Sequence, residues 1–172
     1  MRILLILLLS SAAGFAQGVK DPVSSVLREI LPRQQKNLVG AAEEMPADKY
    51  GYKPTPEQIT FGHLMMHIAT SNDSLCGKIA DLPVPGRAEL KESDGKDKLV
   101  AALKASFDFC GSALAKADDS RLGDSIEVFK GRPSPRALAF IALASDWADH
   151  YSAAAMYLRL NGLLPPSAQG KK

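Results

Sequence analysis

The chain has 172 residues, with 21 basic and 19 acidic side chains and a formal net charge of only +2. No basic stripe interleaved with aromatic residues runs through it, which argues against a nucleic-acid partner. Its length suits one domain, which after loss of a short leader has about 155 residues and can bury around two thirds of its surface.

Arg2 is followed by the apolar run ILLILLL and then by SSAAGFA. A charged start, a short apolar core and a small-residue exit form the layout of a secretory signal peptide. The run is too short to cross a bilayer, which takes roughly 20 apolar residues. Gly14 and Ala16 place cleavage after Ala16, and no Cys follows the run to carry a lipid anchor. The expected organisation is therefore a signal peptide over 1–16, one helical domain over 17–166 and a disordered polar tail over 167–172. The protein is expected to be exported, periplasmic or secreted, and free of the membrane after cleavage. In an oxidising compartment the pair Cys76 and Cys110 reads as a disulfide, with two separately buried thiols as the alternative.

Four stretches have helical period, and no long stretch alternates as a strand would. The first helix is expected from about Asp21 to Glu44, with Asp21 as N-cap, Pro22 at the first position, and Pro32 kinking or breaking it. The segment MPADKYGYKPTPEQ that follows reads as a loop over the bundle. Thr55 or Thr60 can cap a second helix reaching about Asp81, with Phe61, Leu64, Ile68, Leu75 and Ile79 as its apolar stripe. After the connection LPVPGRAELKESDG, a third helix runs from about Lys96 to Ala117 on a face of Leu99, Leu103, Phe107, Cys110 and Leu114. Between Asp118 and Pro133 a loop is expected, with a brief extended piece at Ile126, Val128 and Phe129. Ser134 and Pro135 look like the start of a fourth, deeply buried helix that stops at Asn161 and Gly162. The fold class is all-α.

The chain has three His, and all fall on these helices: His63 and His67 on the second, His150 on the fourth. Helical bundles build metal sites by pointing such side chains inward from facing helices. Asp146 and His150 are four residues apart, so a carboxylate and an imidazole stand on adjacent turns of one face. A third ligand from the second helix completes an open three-ligand site. The competing reading is a hydrogen-bonded His–Asp pair at a packed interface. His63 and His67 both flank the second helix's apolar stripe, and the helical wheel does not choose between them. Trp147, Tyr151 and Tyr157 read as packing residues. Ser71 and Ser74 lie in no nucleophile-elbow context, and no Gly-rich loop cradles phosphate.

The segments MPADKYGYKPTPEQITFGHLMMHIA and DWADHYSAAAMYLRLNGLLPPS together resemble the DinB-like family of damage-inducible four-helix proteins, in its exported branch. The resemblance implies an up-down-down-up four-helix bundle and a divalent metal, zinc or nickel, held by one His of the second helix and two of the fourth. His67 matches the second-helix ligand and His150 the later fourth-helix ligand. Asp146 stands where the family has His, Ser152 and Ala153 where it commonly has Gly-Gln, and His63 where it often has Glu. A His-His-carboxylate set still binds zinc.

Two functions follow as expectations. The first is a metal-dependent hydrolase or transferase of unknown substrate, with His67, Asp146 and His150 on the ion, an activated water as nucleophile and no nameable general base. The second is a non-catalytic exported bundle that binds a small molecule or a partner, with a degenerate or absent metal and Tyr50 and Tyr52 on its surface. A homodimer is compatible with either.

Overall fold

The computed structural model describes residues 18–170, so the segment 1–16, expected to be a signal peptide, lies outside the described residues. Four helices make the frame: α1 (Pro22–Glu44), α2 (Phe61–Ala80), α3 (Lys96–Leu114) and α4 (Ala137–Leu160). Two short antiparallel strands, β1 (Ser125–Phe129) and β2 (Arg132–Pro135), form a hairpin between α3 and α4.

Cross-helix pairs fix the helix directions. Cys76 is bonded to Cys110 and Asn72 to Ser106, both at a separation of 34, so α2 and α3 run parallel. Asn72 meets Trp147 while Lys78 meets Arg136, so α4 runs against α2. The start of α1 touches Asp119, just past the end of α3, so those two are antiparallel. The bundle is up-down-down-up, with α2 and α1 each packed between α3 and α4. The predicted stripe residues of α2 and α3 are all buried in the shared core.

Helix starts show how local signals are used or overridden. Thr60 caps α2, its Oγ1 accepting from the His63 N–H at 2.9 Å. Asp21 takes the N-cap position of α1, its carbonyl accepting from the Ser25 N–H, but its side chain makes no capping bond. It sits in the left-handed region, and the α1 amides of Val23 and Ser24 donate instead to Asp119, 96 and 95 residues away. Asp119 also accepts from the Ser24 hydroxyl at 2.6 Å, so a carboxylate from after α3 neutralises the positive end of α1. Pro32 neither breaks nor ends α1, which runs on to Glu44; the residue is exposed, so its ring meets water rather than a neighbouring helix.

Ser134 and Pro135 do not start α4; they pair with Ile126 and Ser125 in the hairpin, and the helix begins at Ala137. Arg136, buried at the junction, donates to the carbonyls of Lys78 and Ile79 at the end of α2. Asn161 and Gly162 end α4 as expected, Gly162 supplying a φ of +73° that a side chain would strain. α4 is not buried all round: Ile141, Met156 and Leu160 are exposed, because a helix at the corner of a four-helix square keeps an outer face. Tyr50 is not a surface residue either. It is buried edge-on against Phe61 and donates its hydroxyl to the Ala42 carbonyl, and this burial raises its pKa.

Beyond Gly162 the chain stays on the bundle, with a 3-10 turn at Pro166–Ala168. The Ser167 N–H donates to the Tyr151 hydroxyl at 2.8 Å, and Pro166 packs close to Gly40.

Candidate metal centre

α2 and α4 cross antiparallel at mid-height, and there His67 comes opposite the Asp146–His150 pair. His67 Nε2 lies 3.9 Å from Asp146 Oδ1, His150 Nδ1 lies 3.4 Å from the same oxygen, and the two imidazole rings are 4.8 Å apart. One donor atom from each of the three residues falls within 4.8 Å of the others, close enough to surround a single ion. His63, one turn earlier, is turned away: its Nδ1 pairs with Glu92 Oε2 at 3.1 Å, in the loop before α3. That loop is drawn tight over α2 at Gly62, where a Cβ would meet the Glu92 carbonyl at 2.7 Å.

The donor set suits a cation. His150 Nδ1 is 2.6 Å from the Asp146 carbonyl oxygen, which can only accept. In the neutral ring Nδ1 therefore carries the proton, so its 3.4 Å approach to Asp146 Oδ1 is a donor contact and Nε2 is the nitrogen left for an ion, the arrangement by which a backbone carbonyl orients a ligating histidine. Asp146 Oδ2 is buried with no hydrogen-bond partner among the described residues. Such an atom is rare in a satisfied interior, and a bound cation would complete it. The electrostatics agree: burial pushes the Asp146 carboxyl above its usual range, against the pull of His150 and His67. Burial and the neighbouring His150 push the His67 imidazole down, so it favours the neutral, ligating form.

These residues line a cleft of about 570 Å³ that also takes in Ser71, Ser74, Asp149, Val128 and Phe129. Ser71 Oγ is 3.4 Å from His67 Nε2, one turn along α2. The hairpin makes one wall and is tied to α2 by Lys78, whose ammonium donates to the carbonyls of Glu127 and Val128 at 2.8 and 2.6 Å. The sequence places Ser71 in no nucleophile context and marks neither Asp149 nor Phe129 as a site residue. The i,i+4 spacing of His67 and Ser71 and the i,i+3 spacing of Asp146 and Asp149 were available signals, whereas the folding of Phe129 onto the cleft was not.

Beneath the cleft the interior is closed. Trp147 Nε1 donates to Asn72 Oδ1 at 2.7 Å, Asn72 Nδ2 to Ser106 Oγ at 3.0 Å, and Ser106 to the Leu103 carbonyl at 2.8 Å. The disulfide Cys76–Cys110, with Cα atoms 5.2 Å apart, locks α2 to α3 one turn further along.

A model of the DinB superfamily matches residues 30–150. Solved structures agree in fold. A DinB-like protein from Bacillus subtilis is 19% identical with a TM-score of 0.65, covering 80% of this chain and 92% of its own. One from Bacillus cereus is 16% identical with a TM-score of 0.67, covering 83% and 95%. A conserved protein from Enterococcus faecalis is 21% identical with a TM-score of 0.63, covering 83% and 98%. No curated protein matches the chain. With its family model spanning α1 to α4 and its bundle shared with these proteins, the chain belongs to the DinB superfamily.

Proposed function

We propose that the cleft between α2 and α4 binds one divalent cation through His67, Asp146 and His150, and that the protein is a metal-dependent enzyme of hydrolase or transferase type acting outside the cytoplasm. The observation that carries this reading is the buried, unpartnered Asp146 Oδ2 beside two imidazoles whose donors lie within 4.8 Å. Three protein ligands opening onto a cleft resemble catalytic rather than closed structural sites. An ion held here supplies Lewis acidity to a polar substrate group or to water.

The chain's own residues would do the rest. The Asp146 carbonyl fixes the His150 ring and its tautomer, the Asp146 carboxylate offsets part of the cation's charge, and Val128 and Phe129 shield one side from bulk water. A carboxylate in place of a third imidazole tilts the preference toward ions that accept oxygen, with zinc and nickel the first to test. Export is supported by the disulfide.

Calorimetric titration of the metal-free protein with Zn²⁺ or Ni²⁺ tests the ion. One equivalent should bind to the wild type and to His63→Ala, and none to His67→Ala or His150→Ala. Binding that survives both of the latter changes contradicts the assignment. The intact mass of protein from its native host tests export: a mass beginning at Gln17 is expected, and one beginning at Met1 refutes cleavage.

A further inference from the structure

The cleft carries charge of one sign. Its lining holds two carboxylates, Asp146 and Asp149, and neither Lys nor Arg. Lys78, on the α2 side of the hairpin, is committed to the Glu127 and Val128 carbonyls. Recognition of phosphate or carboxylate relies on Arg or Lys, often as a bidentate fork, and none lines this space among the described residues. Asp149 is exposed in the cleft and has no ion-pair partner among the described residues.

Opposite the polar residues stands an apolar wall. The hairpin register shifts between Glu127 and Phe129, leaving Val128 buried and Phe129 on the cleft with 52% of its surface exposed. Irregularities of this kind re-aim a side chain beside a site. An exposed aromatic ring and a free carboxylate in one cleft match a ligand with an apolar skeleton and a positive end. A divalent ion would leave the triad end positive, so the ligand's positive end belongs at Asp149 and its uncharged end toward His67 and His150.

We propose that the cleft takes a small molecule carrying a protonated amine on an apolar skeleton, with the amine at Asp149 and the skeleton against Phe129 and Leu75. The proposal rests on the reading of this cleft as the working site. Its test is calorimetric binding of phenethylamine, phenethyl alcohol and hydrocinnamate to the zinc-loaded protein, with the metal content of each sample measured in parallel. The amine should bind at least about tenfold more tightly than the carboxylate, a difference of about 1.4 kcal/mol. Asp149→Asn, at an exposed position, should bring the amine down to the alcohol's affinity with metal content unchanged, and Phe129→Ala should weaken amine and alcohol alike. A carboxylate that binds as well as the amine, or an Asp149→Asn protein with undiminished amine affinity, overturns the proposal. A metal-free protein that keeps the amine preference refutes the ion and leaves this inference standing; a metal-loaded one without the preference does the reverse.

Discussion

Trp147 and Asp146 are neighbours in the chain, yet they belong to opposite kinds of interior. The Trp147 indole turns inward and finishes a polar chain through Asn72 and Ser106 in which every donor has an acceptor. Asp146 turns toward the cleft and keeps a buried oxygen with no hydrogen-bond partner among the described residues. Buried polar groups that only hold a fold are satisfied by the fold; one left unsatisfied beside two imidazoles is the atom that the proposed ion would complete. The closed region should therefore respond to mutation as stability, and the open one as binding.

Removing the disulfide should show the largest effect on the closed side. Its loop spans about 35 residues, for which chain-entropy estimates give roughly 3.5 to 4 kcal/mol. Denaturant midpoints of the oxidised wild type and a Cys76→Ala, Cys110→Ala double variant measure it. A loss below about 1 kcal/mol would show that the α2–α3 contact does not depend on the bond. Next comes Asn72→Ala, which orphans the Trp147 N–H in a dry interior and should cost about 1–3 kcal/mol with metal binding retained.

Asp146→Asn should reverse the pattern. The amide has no charge to desolvate, so the metal-free variant should be as stable as the wild type or more stable, by up to about 1 kcal/mol, while ion binding is lost. Thermal melts with and without a chelator read both. A variant that is strongly destabilised without metal would place Asp146 among the structural residues.

The smallest effect is the pH response of the metal-free protein. His67 has a folded-state pKa below its ordinary value, first because of burial and then because of His150. Between the two values the unfolded chain holds the extra proton, so this contribution to stability is present above pH 6.5 and lost as pH falls from there toward the folded value. The ring is half-exposed, so the loss should stay under about 1 kcal/mol. Urea midpoints above and below that value, for wild type and His67→Gln, isolate it: the variant should lack this part of the decline.

Much of the frame was legible because its signals are local. Thr60 precedes an amphipathic run and caps it, Asn161-Gly162 ends α4, and the stripe from Leu99 to Leu114 is buried on spacing alone. What the sequence hid depends on distant partners. Asp119 supplies the side-chain capping expected of Asp21, to amides 95 and 96 residues away. Pairing across the hairpin claims Ser134 and Pro135, which otherwise look like a helix start. At the site, the spacing of Asp146 and His150 was visible, but the choice of His67 over His63 came only from family resemblance. The helical wheel puts both on the same flank, and the pairing of His63 with Glu92 depends on how the α2–α3 loop returns. Asp149 and Phe129 join the site only after the hairpin folds against α2.

The most direct test of the central claim is elemental analysis of the mature protein purified from its native host without added metal. The account predicts close to one equivalent of a divalent transition metal in the wild type and in His63→Ala, and almost none in Asp146→Ala, His67→Ala or His150→Ala. A wild-type protein that is folded, disulfide-bonded and free of metal would contradict it.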